Sequence, residues 1–311
     1  MTTYHFIGIG GAGMSVIAEL LAAQGHRVQG SDSRDGTAVR RLRAAGIDVF
    51  VGHNAASVPA DAVVVRSTAI KSDNVELAVA QERGQEIIHR SQALVIASQG
   101  MDFVAVAGAH GKTTTSGMLA AALVEAGSDP SYAIGGTVLG LGSGSRLGAG
   151  SIFVAEADES DGSFLNYTPR VAIVTNVEPD HLDYYGSQEA FEDAFTQFAQ
   201  RIDDGGLLIC CADDAGAAAL AERARAAGVR TITYGRSPQA DARVEGEVVE
   251  LEGRRERLSL QVAGDHNRLN AAAAYVAGIE LGVPSAMMAR SLGAFRGTGR
   301  RFEPRGYVDG V

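Results

Sequence analysis

Residues 103–117 read FVAVAGAHGKTTTSG. Residues 103–107 form an apolar run short enough for one buried strand, and Gly108 and Gly111 interrupt it. Lys112-Thr113-Thr114-Thr115 then opens a small-residue helix that continues through Leu119 and Leu123. A glycine-rich strand-to-helix turn aims several backbone N–H groups at one anion, and the helix N-terminus adds favourable partial charge. In such a turn a lysine reaches the outer phosphates and the hydroxyl beside it can ligate Mg²⁺. Lys112 and Thr113 stand at those two positions, and Gly108, Ala109, His110, Gly111 and Thr114 complete the candidate nucleotide-phosphate contacts. The common form of the pattern has a glycine at 106, where this chain has Val106, so the match is the shorter G-x-x-G-K-T. A turn that merely joins strand to helix is the alternative, and it leaves Gly-Lys-Thr after a strand unaccounted for.

A second glycine-rich turn lies near the amino terminus. YHFIGI (residues 4–9) reads as a strand that runs into Gly8-Ile9-Gly10-Gly11-Ala12-Gly13-Met14, then a helix (SVIAELLAAQG) and a second strand ending at Asp32. This is G-x-G-x-x-G with an acid about 20 residues on, the dinucleotide fingerprint. An NAD(P) site, a site for the diphosphate of another nucleotide and a purely structural turn all fit it locally. The phosphate loop at 108–115 weighs against a dehydrogenase, which has no use for one.

Strand and helix patterns go on alternating: VRRLRAAG, IDVFVG, DAVVVRST, NVELAVAQERG, EIIHRS, ALVIASQ. Regular βα alternation predicts a parallel sheet whose ligands sit at the carboxyl ends of strands, where Gly11, Ala12, Gly13, Met14, Asp32, His53, Ser67 and Thr68 fall. For His53 a solvated loop position fits equally well. The expected fold is α/β. A Rossmann-like domain covers 1–99, and a P-loop-containing central domain covers 100–301 with a small antiparallel β portion at 241–263, turning at Gly246 and Gly253. Residues 302–311 begin a linker.

At 311 residues with 46% hydrophobic content the chain can fill two cores. Its net charge, 27 − 37 = −10, argues against nonspecific binding to nucleic acid or an anionic membrane. Cys210 and Cys211 are adjacent in a strand-like run, so they point to opposite faces and do not bridge. With no basic leader and no apolar run of membrane-spanning length, a cytoplasmic protein is expected.

Beyond the phosphate loop, SIFVAEADESDGSFL is an apolar strand ending in Glu156, Asp158, Glu159 and Asp161. An acid at a strand tip beside a phosphate loop suits Mg²⁺, which takes one or two carboxylates plus phosphate oxygens. Glu156 is the preferred ligand, and the other acids read mostly as a solvated turn. The next strand leaves Asn176, Asp180, His181 and Asp183 in a loop, where His181 could serve a second cation. Asn267 and Asn270 open a helix, where they could read a base edge or cap the helix, with capping favoured.

Taken together, GIGGAGM (8–14), STAI (67–70), GAHGKTTT (108–115), EADESDGSFL (156–165), TNVEPDHLDYYG (175–186), GDHNRLNA (264–271) and GRRFE (299–303) resemble the Mur ligases, which add amino acids to peptidoglycan precursors using ATP. The resemblance covers essentially the whole chain. It implies UDP-N-acetylmuramate bound by Gly11 to Met14, Asp32, His53, Ser67 and Thr68, and ATP held by Lys112. It implies Mg²⁺ on Thr113, Glu156 and His181, adenine contacts from Asn267 and Asn270, and Arg301, with Arg300, at the ATP side of a hinge. The catalytic set would be Lys112, Glu156 and His181. Later ligases of the family carry a carbamylated lysine after the histidine loop; residues 187–202 contain no lysine, which fits the alanine-adding type and L-alanine as the incoming amine. The family's third, carboxyl-terminal domain would begin near Val311, so the chain is expected to be a truncated ligase that does not catalyse alone, as monomer or homodimer. A tripeptide-recycling ligase, an NAD-dependent oxidoreductase and a noncatalytic UDP-sugar-binding remnant are the alternatives.

Overall fold

The computed structural model describes residues 1–299. In chain order the first half runs β1 (Thr3–Ile7), α1 (Ala12–Ala23), β2 (Arg27–Asp32), α2 (Thr37–Ala44), β3 (Asp48–Val51), β4 (Val63–Arg66), α3 (Val75–Glu82), β5 (Ile87–His89) and α4 (Arg90–Ala97). The five strands form one sheet in the order β3-β2-β1-β4-β5, every pair parallel. The parallel sheet read from the βα alternation is thus present. β1 lies between β2 and β4, so the chain leaves it in opposite directions and opens a crevice at its carboxyl end. The helix after the first glycine loop starts at Ala12, three residues earlier than the sequence pattern suggests. Ala12, Gly13 and Met14 are consequently its first turn, with their backbone amides free of intrahelical partners.

The second half continues with β6 (Asp102–Ala107), α5 (Lys112–Glu125), β7 (Ser131–Ala133), β8 (Ser145–Arg146), β9 (Ile152–Glu156), β10 (Val171–Val174), α6 (Leu182–Tyr185) and α7 (Gln188–Ala199). It ends with β11 (Leu207–Cys211), α8 (Ala215–Ala226), β12 (Thr231–Gly235), β13 (Ala242–Glu245), β14 (Val248–Leu251), β15 (Arg254–Arg257), α9 (Asp265–Glu280) and α10 (Ser285–Ser291). The ten strands make one sheet, β15-β14-β13-β12-β11-β10-β6-β9-β7-β8. Its centre is parallel, while β13, β14 and β15 form the antiparallel portion expected from 241–263, turning at Gly246 and Gly253 in left-handed conformation. β6 sits between β10 and β9, again at a point where the winding reverses.

Small residues set the packing around β6. α5 is buried over 114–123 and α9 over 270–278, and these stretches are rich in small residues, so the two helices lie close together against the sheet. A continuous apolar cluster runs from Phe6 and Leu21 in the first half to Phe153 and Val174 in the second, and α1 packs on β7 and β8. Cys210 and Cys211 are both buried and unpaired, as their strand positions require. No helix among the described residues is long and apolar enough to cross a membrane.

Candidate functional site

β6 delivers the chain into the loop at 108–111, and β10 fixes its shape. Gly108 has φ +124°, and a Cβ there would stand 2.3 Å from Thr175 Oγ1 and 3.0 Å from the Asn176 backbone. Thr175 Oγ1 lies 3.1 Å from the Ala107 carbonyl and 2.5 Å from that of His110. The Asn176 amide clamps His110 from both sides, accepting from its N–H and donating to its carbonyl, each at 3.0 Å. Gly111, at φ +87°, caps α5. The loop is held open by neighbours rather than by its own side chains, and the clamping role of Asn176 had no signal in the sequence.

Lys112 folds back over this loop. Its Nζ donates to the Gly108 carbonyl at 2.6 Å and to Glu159 Oε1 and Oε2 at 2.8 and 2.9 Å. Thr113 Oγ1 donates to Glu156 Oε2 at 3.0 Å, and Gly135 N–H donates to Glu156 Oε1 at 2.7 Å. The acids after Glu156 are not a solvated turn, which corrects the sequence reading. Glu159 is 1% exposed, Asp158 pairs with Arg90 at 2.6 Å, and Asp161 accepts from Thr68 Oγ1 at 2.5 Å. Their partners come from the turn after β4, from α4 and from α5, far away in sequence. Burial pushes the Glu159 carboxyl above the usual carboxylate range against the opposing pull of Lys112. Burial would also raise Asp161, but hydrogen bonds from Ser163 and Thr68 outweigh it and hold that carboxyl low.

The two halves face each other across a cavity of about 740 Å³. One wall is Gly11, Ala12, Gly13, Met14, Ser67, Thr68 and Arg90; the other is Lys112, Glu156, Asp158, Asp161, His181 and Tyr184. The first glycine-rich turn and Lys112, the residue that follows the phosphate loop, therefore line one space. Arg90 opens α4 within 3.8 Å of where a Cβ on Gly13 would stand, beside free helix-terminal amides, and is placed to meet an anion there. Sequence reading passed over it; its position directly after β5 was the available signal. A smaller pocket of about 380 Å³ adjoins the phosphate loop, lined by Gly111, Thr114, Asn176, Tyr234, His266 and Asn270 among others.

Comparison with known proteins agrees with this geometry. Residues 106–278 match the Mur ligase middle domain, and residues 3–101 match the Mur ligase family, catalytic domain. The chain belongs to the Mur ligase family. It is 50% identical to the UDP-N-acetylmuramate–L-alanine ligase of Renibacterium salmoninarum over 99% of this chain and 68% of that protein. It is 49% identical to that of Saccharopolyspora erythraea over 99% and 66%. It thus spans about two thirds of the length of these relatives. Among solved structures it superposes on the UDP-N-acetylmuramate:L-alanyl-gamma-D-glutamyl-meso-diaminopimelate ligase of Neisseria meningitides with a TM-score of 0.87 at 28% identity, covering 96% of this chain and 100% of that one. It superposes on the UDP-N-acetylmuramate-alanine ligase MurC of Thermotoga maritima with 0.83 at 30%, covering 97% and 70%.

Within this Mur ligase the residues singled out from sequence divide into three groups. Gly11 to Met14, Ser67, Thr68, Lys112, Glu156 and His181 converge on the large cavity. His110, Gly111, Thr114 and Asn270 line the adjoining pocket. Asp32 and His53 instead make internal contacts. Asp32 Oδ2 accepts from Gly10 N–H at 2.8 Å, and His53 Nδ1 meets Ser31 Oγ at 2.9 Å and the buried Glu76 at 3.3 Å. Asn267 does not cap α9, nor does Asn270. Gly264 is the N-cap with no side-chain bond, and Asn267 is buried with Nδ2 on the Ala263 carbonyl at 2.6 Å. The sequence placed the helix start too late, so residues read as caps lie inside its first turns. Arg300 and Arg301 lie outside the described residues.

No group of three or more His, Cys, Asp or Glu positioned for a metal ion occurs among the described residues. The donors at the phosphate loop are one carboxylate and one hydroxyl, Glu156 and Thr113, already within hydrogen-bond reach of each other. That set fits Mg²⁺, which completes its octahedron with water and substrate phosphates. His181 sits in the left-handed region at φ +52° with its side chain 41% exposed, and its Nε2 is 3.6 Å from Asp180.

Proposed function

We propose that this chain binds UDP-N-acetylmuramate and ATP and serves the ATP-dependent joining of L-alanine to the lactyl carboxylate of UDP-N-acetylmuramate. The observation that carries this reading is the cavity shared by the first glycine-rich loop and Lys112, with the phosphate loop's own pocket adjoining it. A dehydrogenase needs one such loop. A reaction in which one nucleotide's phosphate meets a group on another nucleotide needs two, side by side. The near 50% identity to UDP-N-acetylmuramate–L-alanine ligases along 99% of the chain supports the same substrates.

The diphosphate of the sugar nucleotide rests on the amides of residues 12–14, against Gly11 and with Arg90 beside them, and Ser67 and Thr68 turn its sugar towards the second half. ATP lies along residues 108–114 with its base in the pocket of Asn270, and Lys112 meets its outer phosphates. Mg²⁺ held by Thr113 and Glu156, with His181 serving a second ion, supplies neutralisation of phosphate charge when bound. The lactyl carboxylate oxygen attacks the γ-phosphorus of ATP, the bond to the β–γ bridging oxygen breaks and ADP leaves, giving an acyl phosphate. The alanine amine then adds to the acyl carbon, and the tetrahedral adduct expels phosphate to leave the amide. Bringing two anions together is the barrier, and positioned positive charge lowers it.

The high TM-score to the tripeptide-adding enzyme of Neisseria favours a second reading, in which the amine is a preformed peptide. Identity to that enzyme is 28%, against about 50% for the L-alanine ligases, so L-alanine is preferred. The compartment is the cytoplasm, where unpaired cysteines persist.

Calorimetric titration with UDP-N-acetylmuramate tests the assignment, with NADH as comparator. One saturable site for the sugar nucleotide and none for NADH is expected. Uptake of NADH by a folded protein that ignores UDP-N-acetylmuramate would return the first loop to dehydrogenase chemistry.

A further inference from the structure

A lysine ammonium has three N–H bonds, and Lys112 has three close acceptors: the Gly108 carbonyl at 2.6 Å and the two Glu159 oxygens at 2.8 and 2.9 Å. No donor is left over for a ligand. Glu159 cannot easily withdraw, being 1% exposed and fixed from several sides. Its backbone carbonyl accepts from the Tyr185 hydroxyl and the Gly162 N–H, and the flanking Asp158 and Asp161 are tied to Arg90 and Thr68. Its carboxylate takes the hydrogen bonds that a phosphate oxygen would otherwise take from Lys112. A free phosphate ion arriving here meets a buried like charge and a lysine already saturated.

Resting on the reading of residues 108–113 as a phosphate loop, we infer that Glu159 is a specificity-determining residue, a tethered anion standing in for a phosphate oxygen on Lys112. It makes the loop reject inorganic phosphate and admit a nucleoside triphosphate. The base and remaining phosphates of the triphosphate bring enough further contacts to release Lys112 from one Glu159 oxygen, leaving the other to hold the ammonium over the cavity.

Inorganic phosphate is the probe, titrated calorimetrically into the 311-residue protein. The wild type is expected to show no saturable binding up to about 10 mM. Glu159→Gln removes the charge and offers a single acceptor oxygen, so it should bind phosphate at least roughly tenfold more tightly, and adding Lys112→Ala should abolish that gain. If the Gln variant gives no cooperative melt, Glu159→Asp takes its place. It withdraws the carboxylate by one methylene and should show a smaller gain in the same direction. Submillimolar phosphate binding by the wild type overturns the inference, as does a folded Gln variant no tighter than wild type. Either result would leave UDP-N-acetylmuramate binding intact. Loss of sugar-nucleotide binding with the phosphate results as expected would instead remove the ligase assignment and spare the role of Glu159.

Discussion

Gly108 shows how little freedom the phosphate loop has. Its φ of +124° is a conformation that side chains avoid, and the space where a Cβ would stand is taken by Thr175 Oγ1. The Asn176 backbone stands only 3.0 Å from the same point and cannot give way freely, because the Asn176 side-chain amide clamps His110. Gly108→Ala should therefore lower unfolding free energy by about 1–3 kcal/mol in urea titrations and weaken nucleotide-phosphate binding at the same time. Wild-type stability and affinity in that variant would mean that the loop is far softer than these contacts indicate. His181, which lines the cavity at φ +52°, is held by its own backbone, donating to Asp180 Oδ1 and accepting from the Tyr184 and Tyr185 N–H groups.

The stretch from Glu156 to Asp161 ties the two halves together through Asp158 and Asp161 and braces the phosphate loop through Glu156 and Glu159. Within six residues it supplies Glu156 to Thr113, Asp158 to Arg90, Glu159 to Lys112 and Asp161 to Thr68. Asp161 gives this a pH signature. Its carboxyl is held below the usual range in the folded protein, so the stability it contributes is present above its unfolded value, near pH 4, and is lost as pH falls through the folded value. Asp161→Asn should cost about 1–2 kcal/mol at pH 7, and the difference from wild type should shrink towards pH 3. A gap of constant size between pH 7 and pH 3 would show that the carboxylate charge is not what holds Thr68.

For the whole molecule, the local signals were legible and the long-range ones were not. Apolar runs ended by glycine marked β1 and β6, and one ended by acids marked β9, because strand and turn chemistry act over a few residues. Gly-Lys-Thr identified the phosphate loop for the same reason. The burial of Glu159 was hidden because an acid is solvated or buried according to a lysine 47 positions away. Arg90, Asn176 and the shared cavity depend on how the two sheets meet, which periodicity does not encode. Asn267 was misread because its helix begins at a bare glycine, with no capping side chain to mark the start.

The central claim is that the two loops hold different nucleotides against one cavity. A crystal structure with UDP-N-acetylmuramate bound tests it most directly. The diphosphate should lie on the amides of residues 12–14 beside Arg90, with the lactyl carboxylate directed towards Lys112 and Glu156. A diphosphate seated instead on residues 108–113 would contradict the account.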